Sequence, residues 1–178
     1  MQLIAQGFGI FGMLMNVLSY QCKTQRKVIF MQLFGSMFFA INFYMLGAYM
    51  GALLNAIGVV RAVIYSNKNF FKAEKRFWLY GFTVLYIISY FSVFAVFKKE
   101  VTVLNLLVEL LPLIAMIAAT ISFSKKDASV VRKYGLISSP CWLIYNCVNF
   151  AIGAIFCEIF ILTSIIIALF RLDRKPNK

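Results

Sequence analysis

Residues 77–97 read FWLYGFTVLYIISYFSVFAVF, a run without a charge, bounded by Lys75 and Arg76 before it and by Lys98 and Lys99 after it. A helix needs about 20 predominantly apolar residues to cross the hydrocarbon core of a bilayer. The run meets that length and little more, so it reads as a single crossing. Phe82, Tyr86, Tyr90 and Phe94 recur at every fourth position within it. An aromatic stripe of this kind reads as helix packing or lipid contact.

Working outward, six further apolar segments can be laid out as Met1–Tyr20, Val28–Ala48, Met50–Tyr65, Leu104–Phe123, Tyr134–Ile152 and Ala154–Phe170. A turn near Gly47 and Gly51 separates the second segment of the chain from the third, and Gly153 separates the last two; glycine suits such tight connections. Seven transmembrane helices are therefore expected. Composition agrees, because 62% of residues are hydrophobic and the mean hydropathy is +0.85, whereas a soluble domain runs at about 45–50% apolar. A chain of 178 residues has too little interior to hide that much surface from water. The first twenty residues lack a basic start and a small-residue cleavage pattern, so they read as a spanning helix rather than a signal peptide.

The charges sort by side. Lys23, Arg26 and Lys27 follow the first segment; Lys68, Lys72, Lys75 and Arg76 follow the third; Lys125, Lys126, Arg132 and Lys133 follow the fifth; Arg171, Arg174, Lys175 and Lys178 close the chain. The opposite side holds only Lys98 and Lys99. Under the positive-inside rule the rich side is cytoplasmic, which places Met1 outside and Lys178 inside. The net charge of +12 thus suits a face against anionic lipid headgroups. The stretch Lys68–Arg76, with Phe70 and Phe71, reads either as lying along those headgroups or as an ordinary loop. Nucleic-acid binding is not expected, since the basic residues do not interleave with aromatics on one soluble face.

The layout repeats. Shifting the first three segments by 103 residues brings them onto the last three, pairing Met13 with Met116, Ser19 with Ser122, Lys23 with Lys126 and Ser36 with Ser139. Three helices is an odd number, so two copies of one orientation need an extra crossing between them, and residues 77–97 supply it. Parallel repeats of this kind build the SWEET transporters. The expected fold is all-α, with seven transmembrane helices arranged as two parallel three-helix bundles joined by a linker helix. Residues 1–66 form the first bundle, 67–103 the basic loop and linker, and 104–178 the second bundle and tail.

Several chemistries are excluded. The chain has no histidine, which removes Ser-His-Asp and Cys-His catalysis and the commonest metal ligand. Cys22, Cys141, Cys147 and Cys157 form no CxxC pair, so neither a disulfide framework nor a zinc site is expected. No nucleophile–base pair or glycine-rich phosphate loop is visible, and neither an enzyme nor a cofactor is expected.

Ionisable side chains inside a membrane are expensive and by default mark function. The candidates are Arg61, Glu109 and Glu158, with the amides Gln6, Asn42, Asn55, Asn146 and Asn149. Under the repeat, Gln6 overlays Glu109 and Asn55 overlays Glu158. Most lie about five to seven residues from the outer helix ends, roughly 7–10 Å deep, where long side chains snorkel. For the amides, helix packing is favoured over a solute pocket. For Glu109 and Glu158 the preference reverses, because a carboxyl flanked by apolar residues needs a partner or a proton. Arg61 lies nearer the cytoplasmic end and reads as a snorkelling residue rather than a counter-ion for Glu158.

The stretches Ala5-Gln6-Gly7-Phe8-Gly9, Leu46-Gly47 through Leu54-Asn55-Ala56-Ile57, Glu109-Leu110-Leu111-Pro112 and Trp142-Leu143-Ile144-Tyr145-Asn146, with Gly153 and Glu158 beyond them, resemble the bacterial inner-membrane YgjV family. That family is similar to the SWEET and PQ-loop transporters. The resemblance covers nearly the whole chain and implies an inner-membrane location. It also implies hinge prolines, for which Pro112 and Pro140 serve the second repeat. The equivalent positions in the first are Gly9 and Met37, and Pro112 is followed by Leu113 rather than glutamine. Half a hinge set argues against symmetric rocking.

The expected function is a SWEET-like carrier or facilitator of a small polar solute, working by alternating access. Glu109 and Glu158 would bind solute or a coupling proton, Asn42, Asn55 and Asn146 would line the solute site, and Pro112 and Pro140 would help bending. The alternative is a non-transporting membrane receptor or scaffold, which the missing prolines favour slightly. The expected partners are membrane lipid, the solute and a proton, and a homo-oligomer is allowed.

Overall fold

The computed structural model describes residues 2–46, 49–73, 75–125, 127–148 and 152–173, and these are helical apart from short connections. In chain order the helices are α1 (Gln2–Ser19), α2 (Gln25–Met45), α3 (Tyr49–Ser66), α4 (Lys68–Phe71), α5 (Arg76–Ala95), α6 (Val103–Ser124), α7 (Ala128–Val148) and α8 (Ile152–Ala168). A π-helical turn, Leu169–Asp173, extends α8. Gly47, Asn149, Lys126 and the tail lysines and arginine beyond residue 173 lie outside the described residues.

Two features of the expected fold are corrected. Among the described residues there are eight helices rather than seven, and five are long and apolar enough to span a membrane: α2, α3, α5, α6 and the segment Ala154–Asp173. The apolar part of α1, Ile4–Ser19, is shorter. Helix α7 has 21 residues but carries Arg132, Lys133, Ser138, Ser139 and Asn146, so its polarity removes it from the apolar set. The basic stretch after α3 contains the extra helix, α4, which ends where Lys72 turns left-handed with φ 49°. Gly51 and Gly153, read as turn residues, fall within the first turns of α3 and α8.

The expected arrangement of two bundles and a linker fails as well. Helix α5 lies against both α3 and α6, while α1 meets α8 and α3 meets α6. The result is one continuous body with α5 bracing a seam. The aromatic stripe explains this position. Phe82 and Tyr86 are buried, Phe82 meets the Tyr65 ring of α3 at 6.2 Å, and the Tyr90 hydroxyl donates to the Leu106 carbonyl of α6 at 3.1 Å. Such ring pairs add about 0.5–1.5 kcal/mol each beyond their burial.

The exterior is apolar. Ile4, Phe11 and Leu18 on α1, Val84, Ile88 and Phe91 on α5, and Phe156, Phe160 and Ile167 on α8 are all exposed. A water-soluble monomer rarely tolerates contiguous patches of this extent; facing lipid, they cost nothing. At one end the basic segments converge. Gln25 is buried and its Nε2 donates to the Ser122 and Phe123 carbonyls at 3.2 Å each, which ties α2 to the end of α6. Lys68 donates to Gln25 Oε1 at 2.8 Å and also reaches the Lys125 carbonyl. Arg171 donates to Gln21 Oε1 at 2.8 Å. Lys98 and Lys99 sit beyond the other end of α5.

Candidate functional site

Polar side chains that cannot face lipid turn inward. Helices α1, α2, α3, α6, α7 and α8 together line a partly open cavity of about 100 Å³. Its polar wall is built from Asn16, Gln32, Asn55, Asn146, Glu158 and Arg61, with Ser36, Ser138 and Ser139 between them. Phe39, Phe43, Trp142, Met116 and Ile161 complete it on the apolar side. Convergent polar groups in a concave site are what fixes the orientation of a small-molecule ligand.

Close helix contact makes room for these groups. A Cβ at Gly35 would lie 2.5 Å from Asn16 Oδ1, so the missing side chain on α2 lets Asn16 of α1 occupy its place on the wall. Gln32 donates to the Ser19 hydroxyl at 3.1 Å, fixing the amide along the same interface. Asn55 spends its Nδ2 on the Gly51 carbonyl of its own helix at 2.8 Å. Asn146 is 3% exposed and its Oδ1 has no hydrogen-bond partner. An unsatisfied buried acceptor costs about 1–3 kcal/mol, and Asn146 is one of the residues that line the cavity.

The expected site residues separate into two groups. Asn55, Asn146 and Glu158 share the cavity, and Glu158 Oε2 accepts a hydrogen bond from the Ser139 hydroxyl. Glu109 and Asn42 do not line it. Glu109 is 1% exposed and ion-paired with Lys99, which lies in the connection after α5 on the sparsely charged end. Asn42 donates to the Ala5 carbonyl at 2.7 Å and fastens α2 to α1. Gln6, the repeat partner of Glu109, is exposed, so that overlay joins residues in unlike surroundings. Pro112 is buried within α6 and Pro140 lies within α7. A helix-interior proline leaves the carbonyl four residues earlier without its usual donor, here Val108 and Leu136.

Arg61 departs most from its expected place. It is 5% exposed and does not snorkel. Its Nη1 donates to the Met116 carbonyl at 3.2 Å, the Thr120 hydroxyl at 3.3 Å and the Tyr86 hydroxyl at 3.4 Å. The guanidinium also lies 4.7 Å from the centre of the Phe123 ring. Its Nε has no partner, and among the described residues no carboxylate forms a salt bridge with it. Asn16, Gln32 and Ser139 were also missed, because a single amide or serine in an apolar helix gives no sign of which way it faces.

Among the described residues there is no group of side chains that could hold a metal ion. The sequence profile of a bacterial inner membrane protein family, YgjV, matches residues 3–176. The chain belongs to that family. No curated protein and no solved structure matches it. Family membership and the apolar exterior agree: this YgjV-family chain is a multi-pass, all-α protein of the inner membrane, and its outer surface contacts lipid.

Proposed function

We propose that this YgjV-family protein is a carrier or facilitator for a small polar solute, which it binds in the cavity among α1, α2, α3, α6, α7 and α8. The observation that carries the reading is a cavity lined by amides, hydroxyls, Glu158 and Arg61 inside a body whose exterior is apolar. Polar groups at this depth are costly unless protein or a watery space satisfies them. Asn55, Asn146 and Glu158 bind solute in this reading, and Glu158 also serves as the site of a coupling proton. Pro112 and Pro140, whose helices both reach the cavity, supply the places where those helices bend. Alternating access and kinship with the SWEET and PQ-loop carriers belong to the same proposal and rest on the sequence resemblance.

Purified protein in proteoliposomes is expected to take up or exchange a solute when sugars, amino acids and ions are screened. Silence across that panel, with folded protein in the vesicles, would refute transport and favour a receptor or scaffold. Orientation belongs to the proposal too: the end where Gln21, Gln25, Lys68, Arg132 and Arg171 meet faces the cytoplasm. A reporter fused after Lys178 should then be cytoplasmic and a tag before Met1 reachable from outside. Labelling of the N-terminal tag only after cell lysis would overturn that orientation.

A further inference from the structure

We infer that the solute is a small zwitterion, with its anionic group held by Arg61 and its cationic group held by Glu158 and Asn146. This rests on the proposed solute cavity and names the class of molecule that fits it. Arg61 brings a guanidinium to the cavity wall. Its described partners are a carbonyl, two hydroxyls, the Met116 thioether and an aromatic face, none of them anionic. A buried charge without a counter-charge is costly, and the Arg61 Nε has no hydrogen-bond partner either.

Glu158 lines the same cavity from α8, with one oxygen held by Ser139 of α7. It forms no salt bridge with Arg61, although both line the same space. A guanidinium and a carboxyl group that share a cavity without touching leave a gap that a molecule carrying both signs can bridge. The unpartnered Asn146 Oδ1 adds an acceptor. An ammonium has three donors and no acceptor, and a carboxylate with an amide oxygen satisfies two of them. The volume of about 100 Å³ compares with roughly 10–15 Å³ for one water on the same measure, which suits a compact solute.

The test is equilibrium binding to the full chain in lipid nanodiscs, with L-alanine as the probe. Alaninamide lacks the carboxylate, N-acetylalanine lacks the ammonium, and glucose carries no charge. Alanine is expected to bind, and each singly charged analogue to bind about ten-fold more weakly or worse, as loss of a charged hydrogen bond implies. Arg61→Gln should weaken alanine while leaving alaninamide unchanged, and Glu158→Gln should weaken alanine while leaving N-acetylalanine unchanged. Because the ligand series uses unaltered protein, a misfolded variant cannot imitate the result. Equal affinity for alanine and either analogue would overturn the inference, as would no binding of alanine, β-alanine or glycine at millimolar concentration. Alanine binding without vesicle uptake would refute the carrier and leave the zwitterion class standing. Uptake of glucose uninhibited by alanine would do the reverse.

Discussion

Arg132→Ala is expected to lower the stability of the folded protein by about 3 kcal/mol, the scale for removing one partner of a buried ion pair. Arg132 is 2% exposed, although its place beside Lys133 makes it look like one more loop cation. Its Nε donates to Asp173 Oδ2 at 2.8 Å, Nη2 pairs with the other carboxylate oxygen, and Nη1 donates to the Cys22 carbonyl at 3.1 Å. One guanidinium thus clamps the start of α7 to the end of the α8 extension and to the α1–α2 turn. Alanine would leave Asp173 without its cation and the turn carbonyl without its donor. Thermal unfolding in detergent should show the loss. Arg132→Lys should recover less than half of it, because an ammonium cannot reproduce the two-pronged contact. Adding Asp173→Ala to Arg132→Ala should cost little more, since the coupling is already gone. Full recovery by lysine, or no change with alanine, would show that the clamp contributes nothing.

Glu158 carries the second large effect, on uptake rather than on stability. Glu158→Gln should reduce solute uptake about ten-fold or more, the consequence of removing a carboxyl that both binds solute and carries the coupling proton. Any pH dependence that this carboxyl gives to uptake should vanish as well, because glutamine keeps the shape and cannot titrate. Glu158→Leu should bring uptake to background, since no polar atom then remains at that point of the wall. The comparison separates charge from hydrogen bonding at one position. Folding should survive both changes, as the Ser139 hydroxyl also lies 3.4 Å from the Glu158 main-chain carbonyl. Normal uptake by both variants would remove Glu158 from the solute site.

Glu109 and Glu158 looked alike in the sequence, each a lone acid in an apolar helix. The fold gives them different surroundings: Glu109 meets Lys99, while Glu158 meets a serine and open space. Asn42 and Asn55 diverge in the same manner, one fastening α2 to α1 and the other lining the cavity. A helix that is apolar on every side carries no stripe to show which face turns inward. For the same reason a polar residue's depth can be counted along the sequence but its direction cannot. The expectation of seven spans failed on that ground too. Apolar runs were measured by length, whereas α7 offsets its polar residues against neighbouring helices and the basic stretch after α3 folds a short helix of its own.

By itself the sequence determined that this is a membrane protein of the inner-membrane YgjV family, that its basic residues fall into segments between the apolar runs, and that its buried acids needed partners. Those properties depend on composition, run length and order along the chain, all of them local. Only the tertiary structure decided that Arg61 and Arg132 are buried rather than snorkelling or solvated, that α5 braces α3 against α6, and that Asn55, Asn146, Glu158 and Arg61 share one cavity. Which polar group meets which depends on how uniformly apolar helices rotate against one another. That rotation is set by glycine contacts such as Gly35 on Asn16 and by hydrogen bonds between residues more than a hundred positions apart, such as Arg132 on Cys22.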